Sequence, residues 1–236
     1  MKQHWWKILA VLLLYYTIFA GMMLEVPHLP ILHETIRNLY FHVTMWFSMI
    51  VLFIISVVSG IKYLTKFNLR NDLVAAESAK VGMLFGINGI ITGMLWAKFT
   101  WGAYWVNDTK LNGAAATMLV YAAYFLLRNS VEDEHKRAKL SSVYSIFAFA
   151  MMIVFIMVLP RLTDSLHPGN GGNPGFGNYD LDNQMRIVFY PAVIGWSLLG
   201  VWIMNIRMRI KLLEENFFNN EEKNYSIPAA PAVFSK

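Results

Sequence analysis

Apolar residues fill six runs of this chain, at about 8–24, 41–61, 81–97, 112–127, 140–159 and 187–206, and the charged residues collect between them. A helix crossing the roughly 30 Å hydrocarbon layer needs about 20 mainly apolar residues. Each run therefore predicts one crossing, and the chain predicts an all-α integral membrane protein with six transmembrane helices. An even number of crossings puts both termini on one side. If that side is the cytoplasm, fifteen of the 20 Lys and Arg fall in inner segments, and the outer loops keep only Arg37, Lys98, Lys110, Arg161 and Arg186. Cations favour the cytoplasmic side of short loops, so both the N- and C-termini are expected there.

The first run needs separate thought, because Lys2 and Lys7 ahead of an apolar stretch also suit a cleavable signal. It is longer than a usual signal core and has no small-x-small site before Glu25, so a retained helix is expected. The membrane domain is read as 1–211, with a cytoplasmic tail at 212–236. That tail starts as a charged helical extension and ends in Ser226-Ile-Pro-Ala-Ala-Pro231, a partly disordered composition. The inner connections 62–80 and 128–139 read as solvated, charged loops.

Composition agrees with the pattern. At 56% hydrophobic residues and a mean hydropathy of +0.42, the chain is too apolar for a soluble domain of 236 residues. The net charge of +5 is spread as topology signals and not gathered into one patch, so no nucleic acid is implied. With no cysteine, disulfides, zinc thiolates and thiol redox chemistry are excluded within this sequence. No phosphate-binding loop is present, so an energy-coupling ATPase would be another chain.

Residues with chemical potential gather on the expected outer side. His28, His33 and His42 surround the first outer loop. The loop at 96–111 carries Trp96, Trp101, Gly102, Tyr104, Trp105 and Asp108. His167 precedes a glycine- and proline-rich stretch at 168–178. Neutral imidazole is a good axial ligand for haem iron, and two histidines from different elements can hold one iron from both faces. His42 stands near the outer end of the second run, and His167 follows Pro160, which is expected to end the fifth. His28 and His33 rank lower, in a proline-flanked loop without evident support. Trp and Tyr also form interfacial belts, which competes with a ligand role for each ring. Density beside Gly102 favours a flat ligand, because glycine lets one approach the backbone and each stacked ring buries area worth about 2–3 kcal/mol. Asp108 is expected either to orient an indole N–H or to cap the next helix, and Lys98 or Lys110 to pair with a propionate.

The stretch Trp96-Ala-Lys-Phe-Thr-Trp101-Gly-Ala-Tyr-Trp105-Val-Asn-Asp108-Thr-Lys-Leu111 resembles the tryptophan-rich WWD motif of the haem-handling proteins of cytochrome c maturation. Around it, Ile36-Arg-Asn-Leu-Tyr-Phe-His42-Val and Leu166-His167-Pro resemble the two outer histidine stretches of one branch, the CcmC (haem exporter protein C) family. Tyr104 and Asn107 stand where the family motif has tryptophan, and Lys110 where it has arginine. The resemblance implies a non-enzymatic assembly factor in the inner membrane, with its functional loops in the periplasm. It would bind haem b through His42 and His167, with Trp101, Gly102, Trp105 and Asp108 as the platform and Trp96 at its edge. It would present haem to the membrane-anchored chaperone CcmE, alongside the ABC-type subunits CcmA and CcmB and the small subunit CcmD. Three other readings stay in view. A single-system cytochrome c synthase component is usually longer; a membrane b-type cytochrome usually buries its histidines within the spans; and a cofactor-free transporter would want broken helices, of which Asn88 with Gly86, Gly89 and Gly93 gives only a hint, since close helix packing explains these glycines.

Overall fold

Helix α1 (Trp5–Met23) leads through a 3₁₀ turn (His33–Asn38) into α2 (Leu39–Lys66), followed by α3 (Leu69–Trp101), α4 (Thr109–Asn129) and α5 (Glu134–Ile153). A π turn (Val154–Val158) and the short α6 (Leu159–Leu162) continue α5, and α7 (Asn183–Tyr225) closes the chain. This computed structural model describes residues 4–168, 175–177 and 180–225, with side chains as far as Glu214. Six helical stretches are long and apolar enough to cross a membrane, as the six apolar runs predict.

Charged residues do not end helices here where the sequence suggests. The expected loop at 62–80 is two residues long: α2 stops at Phe67, held in the left-handed region at φ 51°, and Asn68 caps α3 by accepting from the Arg70 N–H at 2.9 Å. The polar residues that looked loop-like lie inside α3 because their charges are matched across the bundle. Asp72 accepts from both terminal nitrogens of Arg128 on α4, at 2.7 and 2.5 Å, while Glu77 takes Lys80 at 2.5 Å and Arg207 of α7 at 2.6 Å. Both carboxylates are buried, and a buried carboxylate is tolerated only when it is paired in this way. The connection at 128–139 shrinks likewise to residues 130–133. Asp133 caps α5 by accepting from the Lys136 N–H at 2.6 Å, and residues 132–136 stay exposed as expected.

Pro160 does not end the fifth span. Its ring cannot fit a regular turn and its nitrogen has no proton. One extra residue upstream absorbs the misfit: Leu159 N–H donates to the Val154 carbonyl, a π-type bond. Gly113 of α4 lies under the displaced Phe155 carbonyl, where any Cβ would overlap it. The last helix also outruns its apolar stretch, so the expected boundary at 211–212 falls inside α7. Residues 226–236, expected to be disordered, lie outside the described residues.

Helix α2 is central. Its Met49, Leu52 and Phe53 pack with Phe85 of α3, Tyr121 of α4, Met152 of α5 and Met204 of α7. Helices α2 and α3 approach closely because α3 offers glycines to large side chains of α2, Gly82 to Phe53 and Gly86 to Met49. A second cluster joins the loop after α1 to the start of α7 through Leu29, Ile36, Tyr40, Met185 and Phe189. Arg37 locks that loop by donating to the carbonyls of Gly21 and Leu24, at 2.8 and 2.6 Å, satisfying the open end of α1.

Candidate functional site

At the start of α2, His42 and Trp46 are one turn apart and face α3, whose Gly93 and Gly89 receive them. A Cβ on Gly93 would lie 2.6 Å from His42 Cε1, and one on Gly89 2.9 Å from Trp46 Cε2. The glycines of the third span thus seat the rings of the site as well as packing helices. His42 Nδ1 lies 2.9 Å from the Gly89 carbonyl and 3.2 Å from Thr92 Oγ1. A carbonyl only accepts, so Nδ1 carries the proton and Nε2 keeps its lone pair. The Thr92 hydroxyl donates in turn to the Asn88 carbonyl at 2.7 Å. Trp96 stands edge-on to the imidazole, with ring centroids 5.8 Å apart, and its indole N–H donates to Thr35 Oγ1 at 3.1 Å.

Helix α3 ends at Trp101 because Gly102 turns into the left-handed region at φ 80°. Nothing lies within 4 Å of a Cβ built on Gly102, and the residue does not line the cavity described below. Its conformation, not close approach by a ligand, requires glycine. We expect Gly102→Ala to lower stability by about 1–2 kcal/mol while leaving ligand affinity unchanged, as checked by thermal unfolding beside a binding titration.

Asp108 combines two duties. Its Oδ1 caps α4, accepting from the N–H groups of Lys110 and Leu111 at 2.9 and 3.3 Å, and also accepts from His167 Nδ1 at 2.9 Å. Its Oδ2 takes the Ser165 hydroxyl at 2.8 Å and the Leu166 N–H at 2.7 Å. The expected cap is present, but the ring that Asp108 orients is an imidazole and not an indole. Burial opposes its charge, yet the hydrogen bonds from His167, Ser165 and Leu166 prevail and hold its carboxyl well below the usual carboxylate range. A depressed value means that its stabilisation is complete near neutrality and is lost only in strong acid. The ionised carboxylate only accepts, so His167 Nδ1 is the donor and Nε2 is again the free nitrogen.

Trp101 packs edge-on against His167 with centroids 4.9 Å apart, so it buttresses the imidazole. The indole N–H of Trp105 donates to Asn112 Oδ1 at 3.3 Å, and Asn112 donates to Asn107 Oδ1 at 2.8 Å. Asn107, a departure from the tryptophan motif, therefore helps to hold Trp105. Lys98 donates to the Gly102 carbonyl at 2.8 Å and lies over the Tyr104 ring, away from the cavity, so of the two lysines only Lys110 is placed to meet a ligand.

His42 and His167 line one cavity of about 230 Å³, together with Trp46, Phe47, Met94, Trp96, Trp105 and Ile156. His28 and His33 are exposed and do not line it. Most of the stretch at 168–178 lies outside the described residues; Pro168, Gly175 and Phe176 line the cavity. Sequence reasoning missed Trp46, Thr35 and Ser165, and read Gly89 and Gly93 as packing alone. The one available signal was register, since Gly89 and Gly93 recur at the spacing of His42 and Trp46. Among the described residues, no group of three or more His, Cys, Asp or Glu could hold a bare metal ion. Two imidazoles in an apolar, aromatic cavity instead suit a metal that brings its own equatorial donors in a flat ring.

Comparison with known proteins agrees with this geometry. The Heme exporter protein C family matches residues 1–223. Relatives named Heme exporter protein C include one from Rhodobacter capsulatus, 23% identical over 88% of this chain and 85% of its own length, and one from Bradyrhizobium diazoefficiens, 26% identical over 76% and 67%. A third, from Haemophilus influenzae, is 24% identical over 61% of this chain, which spans 58% of that relative. With the family matched from the first helix into the last, the chain belongs to the Heme exporter protein C family.

Proposed function

We propose that this protein binds haem b at the periplasmic face of the cytoplasmic membrane and presents it to the membrane-anchored chaperone CcmE during c-type cytochrome maturation. It does so as an assembly factor and not an enzyme, with both termini in the cytoplasm and in a complex with CcmA, CcmB and CcmD. Family membership supports a role in haem handling, and the distribution of Lys and Arg supports the orientation. One observation carries the site: His42 and His167 line the same cavity, and each has its Nδ1 committed to an acceptor, the Gly89 carbonyl and Asp108.

The bound iron would supply two axial positions for nitrogen ligands. The chain's own residues fit that demand. His42 is fixed on a helix, with its ring against Gly93. His167 sits on a loop and depends on Asp108, Ser165 and Trp101 for its direction. Trp46, Trp96 and Trp105 wall the cavity with apolar, aromatic surface. One rigid and one loop-borne ligand suit a protein that must hold its cargo and then give it up.

The test is direct. Protein purified in detergent after expression with haem available is expected to show the Soret and α/β bands of a low-spin, bis-imidazole haem and to retain the chaperone when the two are co-expressed. A colourless protein under those conditions would sink the reading. Coloured protein with reversible redox behaviour and no chaperone retention would favour a b-type electron carrier.

A further inference from the structure

The cavity has a charged rim that the two histidines leave unexplained. Arg161, at the end of α6, and Lys110, in the first turn of α4, both line it. Their elements are tied together, since Thr163 Oγ1 donates to Thr109 Oγ1 at 3.0 Å. The π turn and Pro160 extend the helix far enough to bring Arg161 there. Among the described residues each cation spends one N–H on a backbone carbonyl: Arg161 on Met157 within its own helix, Lys110 on Pro168 at 3.3 Å. Asp108, the carboxylate nearest to Lys110 in sequence, is engaged with His167, Ser165 and Leu166. The acidic residue that does line the cavity, Asp180, belongs to the segment before α7. Two cations on tied elements, beside an apolar interior, set charged N–H donors at the mouth, where an anionic group would meet them.

We propose that Arg161 and Lys110 together form a carboxylate subsite, which grips the acidic side chains of the macrocycle while its ring lies in the apolar interior. The subsite rests on the haem reading and fixes how the ring is turned: acidic edge toward α4 and α6, apolar edge toward Ile90 and Ile156. Guanidinium and ammonium donors to carboxylate make the stronger, charge-assisted class of hydrogen bond. Lys98 is not part of it, because its ammonium is held at Gly102 outside the cavity.

The test uses the full chain in detergent, titrated with haem and with haem dimethyl ester, whose carboxylates are blocked. The protein is expected to prefer haem over the ester by about tenfold, equivalent to about 1.4 kcal/mol. In the double variant Arg161→Gln, Lys110→Gln that preference should fall to about unity through weaker haem binding, with ester affinity and the bis-imidazole spectrum unchanged. Arg161→Lys should keep most of the preference, and Lys98→Gln all of it. An unchanged preference in the double variant would overturn the subsite while leaving the histidine site intact. Loss of ester binding as well would assign these cations to the cavity wall and also overturn it. Failure of the unaltered protein to bind either compound would instead remove the haem reading on which the subsite rests.

Discussion

Replacing either His42 or His167 with alanine is expected to abolish the low-spin spectrum and weaken haem retention by more than about 100-fold, because losing a ligand costs more than losing its hydrogen-bond partner. The two variants should differ. His42→Ala opens a hole between α2 and α3 opposite Gly93, in a helix that is otherwise well packed, so added imidazole should enter and restore much of the six-coordinate spectrum. His167→Ala instead removes a side chain that Asp108 and Trp101 hold in a loop, leaving a five-coordinate, high-spin haem on His42 with weaker rescue. Absorption spectra with and without imidazole decide the matter. A six-coordinate spectrum persisting in either alanine variant would remove that histidine from the site.

How much of this was legible in the sequence varies with the range of the interaction. The six spans were, since a crossing is a local property of about 20 residues. Their ends were not. Asp72 and Glu77 read as loop residues because their partners, Arg128 and Arg207, lie on other helices, and only the fold brings them together. Pro160 read as a terminator because the π turn that accommodates it depends on Gly113 of another helix. At the site, the residue types were visible and their duties were not. Asp108 announced a cap through its place before α4, yet its bond to His167 spans a loop and a helix pair. Gly102 looked like room for a ligand and is a left-handed helix end, while Gly93, read as packing, is the seat of His42.

That double role makes Asp108 the residue outside the ligand pair whose loss is expected to cost most. Asp108→Ala removes an N-cap worth about 1 kcal/mol and breaks the part-buried bonds from the Ser165 hydroxyl and the Leu166 N–H, worth about 0.5–1.5 kcal/mol each. A drop of about 2–4 kcal/mol in stability follows, together with loss of the low-spin spectrum. The informative partner is Asp108→Asn. Its remaining oxygen can still cap α4 and accept from His167, but the amide nitrogen that replaces Oδ2 donates, and it would face two donors, Ser165 Oγ and the Leu166 N–H. The loop carrying His167 should therefore pull away while α4 stays capped. A stability loss smaller than the alanine variant's by about the 1 kcal/mol of the cap, with a shift toward high-spin haem, is the expected result, read by thermal unfolding and absorption on the same sample. If the asparagine variant instead loses stability as the alanine does and keeps its low-spin haem, Asp108 holds the fold alone and does not aim the ligand.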